Sequence, residues 1–342
     1  MRSVTPQTNA TLARISSELR ERNDFVLCGH VSPDGDCVGS QLALSHTLKA
    51  LGKNVVCLAA EEAPADPSLA FLPGYDALVP AACFAGAART FVALDVPTRA
   101  RIGEAAAALL DSCDFSITVD HHASDAIMTE LAYIEPGSAS CTMLVWELCR
   151  LLLDVPPTTS ALCAYTGLVT DTGGFQFQNT DRRAFEVAAD MVACGADPSL
   201  VARNVLQNRS RASLALEARA LSRMRFCAQG TCVVSWVTRS DMDELGAAKP
   251  DVEPLVNALR SLRGIEVAVM LREQGGEVRG SARAKAAADV ASFARFFGGG
   301  GHVAAAGFTV RAPLDEAIAR IELELERRFG AGATEAGEGV RP

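Results

Sequence analysis

Residues 24–40 read DFVLCGHVSPDGDCVGS. The apolar run from Phe25 to Cys28 has the length and composition of a buried strand. It passes through Gly29 and His30 into a Pro-Asp-Gly turn, and a helical pattern follows from about Val38 to Leu51. Three chemically active side chains, His30, Asp34 and Asp36, fall within this one strand-to-helix passage, and the tight turn lets them converge. The amides that open the helix favour a nearby phosphate. Two aspartates in a turn are common on solvated surfaces, so the segment decides the fold more firmly than the chemistry.

Moving outward, apolar runs read as further strands at Asn54–Ala60, Thr90–Val96 and Phe115–Asp120. Helical patterns fall at Ala139–Leu153 and Thr158–Val169. Strand–helix alternation predicts an α/β domain, a parallel sheet with helices on both faces, in which ligands bind beyond the carboxyl ends of the strands. A mostly helical stretch from 191 to 226 is expected to connect this first domain, 1–190, to a smaller mixed α/β domain at 227–330. That second domain has strands near Thr231–Val237, Ile265–Arg272 and Glu277–Arg283, and helices near Val252–Leu262, Val290–Phe297 and Leu314–Phe329. Residues 331–342 lack periodicity and read as a disordered tail.

The strand ends carry the chemistry. The third strand ends at Asp95, the fourth runs into Asp120-His121-His122, and the helical segment from Thr158 ends at Asp171. Three of the five histidines in the chain belong to this set. Random placement would scatter such residues over both sheet edges, whereas a parallel sheet brings these strand ends to one. Carboxylates with a minority of imidazoles and no thiolate suit Mn2+, with Mg2+, Co2+ and Fe2+ as alternatives. A structural zinc site would use a local cysteine spacing that is absent.

Composition narrows the partners. Apolar residues make up 49% and charged residues 21%, the balance of a globular chain. A net charge of −9 opposes a broad grip on long nucleic acid but leaves a small anion open. No apolar run approaches the roughly 20 residues of a membrane span, and the N-terminal stretch lacks the apolar centre of a secretory signal. The eleven cysteines include no Cys-x-x-Cys pair and sit mostly in apolar segments, as buried reduced thiols do. A cytoplasmic protein is expected.

HVSPDGDCVGS, LDVPT, VDHHASD and TGLVTDTGGF, in that order, resemble the successive motifs of the DHH phosphoesterase superfamily, and FFGGGGHVAAAGF (296–308) resembles the signature of its associated C-terminal domain. The nearest likeness is to the group of oligoribonucleases and pAp phosphatases, or nano-RNases, which includes cyclic di-AMP and pApA phosphodiesterases. The resemblance implies two divalent cations, most readily Mn2+, one held by His30, Asp34 and Asp95 and the other by Asp36, Asp95, His121 and Asp171. Asp95 would bridge them. Asp120 would orient His121, and His122 would face the phosphate. The implied reaction is two-metal activation of water against short oligoribonucleotides and small nucleotides. Competing readings are a manganese inorganic pyrophosphatase or exopolyphosphatase, and a nucleotide-binding sensor with little turnover. Where family sequences often carry Asn soon after the paired histidines this chain has Asp125, and Gln176 lies where a basic residue is frequent; both bear on substrate preference.

In the second domain, Arg279, Ser281 and Arg283 share one face of a strand by their period of two. Two guanidiniums on one face suit phosphate. The glycine run Gly298–Gly301 allows close backbone approach and exposes amides that can cradle an anion; it lacks the Lys-Ser or Lys-Thr of a P-loop. With the resemblance, Gly299, Gly300, Gly301 and His302 join the expected substrate contacts. Arg99 and Arg101 read as helix-capping or surface charges. The partner is a small nucleotide or short RNA, with no long nucleic acid and no membrane, and the apolar helix at Ala139–Leu153 could support a homodimer.

Overall fold

The FVLC run forms β1 (Phe25–Cys28), buried along its whole length as a strand covered on both faces must be. In this computed structural model, the described residues are 5, 7–61, 66–123, 127–285 and 288–330. Asp125 and the expected tail at 331–342 lie outside them. The chain divides into two units between Asn208 and Arg209.

In the first unit β1 is joined by β2 (Val55–Ala59), β3 (Val79–Pro80), β4 (Thr90–Leu94), β5 (Phe115–Asp120) and β6 (Leu131–Ile134). The sheet order is β3-β2-β1-β4-β5-β6, with every neighbouring pair parallel. Helices α1 (Leu12–Glu21), α2 (Gly35–Ala50), α3 (Glu104–Ser112), α4 (Cys141–Leu152), α5 (Thr158–Asp171), α6 (Arg182–Ala193) and α7 (Pro198–Val201) complete it. Alternate strand residues feed two cores on opposite faces. Phe25, Leu27, Val92 and Leu94 pack with α1, α2, α4 and α5, whereas Val26, Cys28, Phe91 and Ala93 pack with α3. Helices therefore cover both faces, as expected.

Three differences from the sequence reading bear on function. Helix α2 starts at Gly35, not Val38, because the Asp34 carboxylate caps it by accepting the backbone N–H groups of Asp36 and Cys37. Asp36 thus stands in the first helical turn. The apolar helix α4 is a core helix: Met143, Leu144, Val145, Trp146 and Leu148 are buried inside its own unit. The stretch 191–226 divides at the unit boundary, with α6 packed on the first core and α8 (Arg211–Ser222) on a core of the second.

The second unit has strands β7 (Arg225–Cys227), β8 (Cys232–Val237), β9 (Val267–Gln274), β10 (Glu277–Ala284), β11 (Gly300–His302) and β12 (Ala305–Val310). Their order is β11-β12-β10-β9-β8-β7, antiparallel except for the parallel β8–β9 pair. Helices α9 (Arg239–Leu245), α10 (Lys249–Val252) and α11 (Leu255–Arg260) join α8 over one face; α12 (Val290–Phe296) and α13 (Leu314–Phe329) cover the other. The expected single helix from Val252 to Leu262 is broken at Glu253-Pro254, where proline can begin a helix but not continue one. Among the described residues, no helix is long and apolar enough to cross a membrane.

Helices α2, α4 and α5 meet at glycines. A Cβ on Gly167 would stand 2.4 Å from Thr142 Cγ2 and 3.0 Å from the Asp36 Cα, and one on Gly39 would stand 2.6 Å from the Cys163 carbonyl oxygen. This close approach delivers Asp36 and Asp171 to the same place. Gly167→Ala gains up to about 1 kcal/mol of helix propensity but overpacks the junction at a cost of about 1–3 kcal/mol. A net loss is expected as a lower Tm by calorimetry; an unchanged or higher Tm would mean the junction has slack.

Candidate metal centre

The parallel sheet brings the carboxyl ends of β1, β4 and β5 to one edge, and each strand ends in a potential ligand. β1 leads to His30. β4 leads to Asp95, whose φ of 58° lies in the left-handed region. Aspartate tolerates that conformation better than most residues, and such strain gathers where a side chain must be aimed. The backbone N–H of Asp95 still donates to the Val119 carbonyl at 3.1 Å, which fixes the turn to β5. β5 ends in Asp120, His121 and His122, and α5 ends in Asp171.

The two oxygens of Asp95 face different histidines. Oδ2 lies 3.4 Å from His30 Nε2, and Oδ1 lies 3.5 Å from His121 Nε2. His121 Nε2 is also 3.6 Å from Asp36 Oδ2 and 3.7 Å from Asp171 Oδ2, and His30 Nε2 is 3.8 Å from Asp34 Oδ1. These separations are long for hydrogen bonds. They match ligands sharing a cation, since two donors about 2.1 Å from one ion at right angles are about 3 Å apart, and wider at larger angles. Asp95 Oδ1 is buried without a hydrogen-bond partner, as an oxygen left for an ion would be.

The imidazole tautomers agree. His30 donates its Nδ1–H to the Val31 carbonyl at 2.8 Å, and His121 donates its own to the Ser138 carbonyl at 3.2 Å. Both Nε2 atoms are thereby turned toward the carboxylates, the second-sphere pattern typical of ligating histidines. Electrostatics expose the same demand for positive charge. Burial resists a charged His30, yet Asp34 and Asp95 hold its pKa up at about 11. Burial, with Asp95 and Asp34 adding repulsion, pushes the Asp36 carboxyl up to about 7.

Asp120 differs from its implied role. Its Oδ1 accepts the backbone N–H of His121 and the Nδ1–H of His122, both at 2.8 Å. The His121 ring is set by Ser138 instead, so Asp120 orients His122. His122 is less buried than His30 and His121, with 24% of its side chain exposed. Its Nδ1 is also 3.4 Å from Asp95 Oδ1.

Several neighbours escaped the sequence reading. Arg99 does form a surface pair with Asp111, but Arg101 places Nη2 3.3 Å from His30 Nδ1. Its position on the turn after Asp95 was the available signal. Cys37 groups with His30 and Asp95 closely enough to offer a ligand atom, although burial and the nearby Asp95 and Asp34 push its thiol well above the usual range. The backbone amides at the start of α4 both donate to Asp36, which no local pattern announces.

In the second unit, Arg279, Ser281 and Arg283 stand opposite Thr309, Gly307 and Ala305. Arg279 donates to Thr309 Oγ1 at 2.5 Å, and Arg283 to the Ala282 carbonyl at 3.1 Å. Gly300–His302 is a strand paired to β12 rather than an open loop. A Cβ on Gly299 would lie 2.1 Å from the Gly307 carbonyl oxygen, and one on Gly301, whose φ is 145°, 2.4 Å from that of Ala305. Those two glycines are thus required by packing, whereas Gly298 and Gly300 have open space at their Cβ positions. The His302 side chain lies outside the described part of the molecule.

An α/β domain with a carboxylate–imidazole centre at its strand ends, followed by a mixed-sheet domain, defines a two-domain protein with a divalent-cation site. The chain belongs to the DHH family: residues 24–168 match the DHH family N-terminal domain and residues 229–327 the DHHA1 domain. It is 32% identical to the bifunctional oligoribonuclease and PAP phosphatase of Thermus thermophilus over 85% of this chain and 86% of that protein. The Bacillus subtilis protein of the same name is 25% identical over 88% and 93%. An exopolyphosphatase-related protein from Bacteroides fragilis superposes with a TM-score of 0.86 at 26% identity, covering 96% of this chain and 98% of the other.

Cation loading has to displace the proton on His30 and, below about 7, the one on Asp36. Affinity for Mn2+ is therefore expected to rise with pH and to weaken as pH falls through about 7, by roughly tenfold per unit for each proton displaced. Calorimetric titration in two buffers of different ionisation heat counts the protons released. Binding with no proton release would contradict the charge state described here.

Proposed function

We propose that the protein is a metal-dependent phosphoesterase that hydrolyses short oligoribonucleotides and small nucleotides, among them pAp to AMP and pApA or cyclic di-AMP. The observation that carries this reading is Asp95, whose two oxygens each face a different histidine-containing ligand set. We assign His30, Asp34 and Asp95 to one divalent cation and Asp36, Asp95, His121 and Asp171 to the other. Mn2+ fits this oxygen-rich, imidazole-poor donor set best. When bound, such a pair supplies Lewis acidity and an activated water for attack on phosphorus.

The chain's own residues do the rest. Asp120 fixes the orientation of the His122 ring through Nδ1, which sets where the other ring nitrogen can meet a phosphoryl oxygen as charge builds there. The buried positions of Asp36, Asp95 and His121 keep bulk water from competing for their lone pairs. In the second unit, Arg279, Ser281, Arg283, Gly299, Gly300, Gly301 and His302 are the proposed substrate contacts; the arginines and serine share one strand face. A net charge of −9 suits a substrate with few phosphates, because only local cations attract it. A cytoplasmic location is part of the proposal, and the eleven free thiols fit a compartment that keeps cysteine reduced.

The likeness to an exopolyphosphatase-related protein gives the second reading its footing. The purified protein with Mn2+ should therefore be offered pAp, a labelled RNA dinucleotide, pApA, cyclic di-AMP and pyrophosphate side by side. AMP from pAp, or mononucleotides from the short oligomers, is the expected result. Turnover of pyrophosphate alone would move the protein to the pyrophosphatase reading, and no turnover would leave a sensor. Asp95→Ala removes the ligand common to both ions. It is expected to lower kcat by about 10³-fold or more, the several kcal/mol a metal pair contributes. Near wild-type turnover in that variant would refute the shared-ligand assignment.

A further inference from the structure

A single short segment, Ser138 to Thr142, bonds directly to two of the four residues assigned to one cation, His121 and Asp36, and reaches a third, Asp171, through Asn179. The Ser138 carbonyl accepts from His121 Nδ1 at 3.2 Å. The backbone N–H groups of Cys141 and Thr142 donate to the two oxygens of Asp36 at 2.6 and 2.9 Å, and the Thr142 hydroxyl donates to Asp36 Oδ1 at 2.7 Å. Ser140 Oγ supports that hydroxyl at 2.8 Å. Asn179 closes the set: its side-chain amide donates to the Ala139 carbonyl at 2.9 Å and to the Asp171 carbonyl at 3.1 Å. His30 and Asp34 take their bonds elsewhere, from the Val31 carbonyl and from the amides that open α2.

We infer that Ser138–Thr142, with Asn179, is a positioning frame that sets the affinity of the cation assigned to Asp36, Asp95, His121 and Asp171, and leaves that of its neighbour unchanged. The inference rests on the two-cation reading above. A carboxylate that receives three donors cannot rotate, so its remaining lone pairs point one way. Ser140 and Thr142 are fully buried, so water cannot replace a deleted hydroxyl. The chain from Ser140 through Thr142 to Asp36 also polarises each bond in turn. The other ligand set is held by separate partners, His30 by the Val31 carbonyl and Asp34 by the amides that open α2, and this separation is what makes the effect selective.

Thr142 also packs, because its methyl fills the gap between Gly39 and Gly167. Two substitutions separate the roles. Thr142→Val keeps the methyl and removes the hydroxyl, whereas Thr142→Ser keeps the hydroxyl and removes the methyl. Mn2+ titration calorimetry on the full chain should show two ions in the wild type. In Thr142→Val one of them should weaken about 10- to 100-fold, the usual effect of losing an outer-sphere partner, with the other unchanged. Thr142→Ser should titrate like the wild type, and Asn179→Ala should weaken the same ion as Thr142→Val. Excess Mn2+ should restore kcat in Thr142→Val with KM for the substrate unmoved, which a packing defect would not allow. Wild-type affinity for both ions in Thr142→Val, equal loss of both, or equal loss in Thr142→Ser would overturn the frame. Asp36→Asn distinguishes the underlying reading: loss of an ion there but not in Thr142→Val removes the frame alone, and a wild type that binds no Mn2+ removes both.

Discussion

Clustered negative charge, buried at Asp36, Asp95 and Asp120, governs the first unit. Asp34, Asp36, Asp95, Asp120 and Asp171 converge at one sheet edge, and among the described residues no lysine or arginine forms an ion pair with any of these five. At an effective dielectric near 20, two carboxylates about 4 Å apart repel by about 4 kcal/mol. Protonated histidines offset part of this, and the raised pKa of His30 is the sign that they do. Two divalent cations would offset four of the five carboxylate charges. The aspartates and the ions are therefore one design: without the ions the site is a source of instability, and with them it is a reagent.

The packing around the site answers the same demand. Charges cannot be fixed by soft surroundings, and the residues behind the ligands are small and hard. Gly39, Gly167 and Thr142 draw three helices together, and the amides at the start of α4 meet Asp36 where the helix dipole also favours negative charge. Asp34 has a double part, capping α2 with the oxygen that also lies nearest His30. Fold and site share atoms here, so a substitution at either is felt by both.

Much of this is legible in the sequence. Phe25–Cys28 is a continuous apolar run and Phe115–Asp120 alternates apolar and polar residues up to its aspartate, and the structure reproduces the bounds of both. The residues that converge can be named because parallel strands put their carboxyl ends on one side. What stays hidden depends on distant partners. β6 is four residues long and gains its place only by pairing with β5. β12 is obscured because Ala305–Gly307 reads as a loop until β10 and β11 flank it. The early start of α2 is recoverable, since Asp34 two residues ahead of Asp36 is a good N-cap. The partners of Asp36 are not, because they lie about a hundred residues away on another helix. Nor does any local pattern show that Asp120 serves His122 rather than His121, because the ring of His121 is claimed by Ser138 on a later segment.

Charge also explains how an acidic protein can select short substrates. Affinity for a long polyanion grows with the number of phosphates met by a basic surface, and a chain of net charge −9 repels each phosphate that falls outside the site. At the metal centre bound cations would reverse the balance locally, and salt screens the rest beyond roughly 8–10 Å. A substrate with one to a few phosphates gains nearly all of the attraction and little of the repulsion. Each added nucleotide brings another phosphate to an unfavourable surface without another cation to meet it. Length selection can then arise from the distribution of charge alone, without a wall to measure the substrate, and it should weaken as salt screens the acidic surface while the close contacts at the metal centre persist.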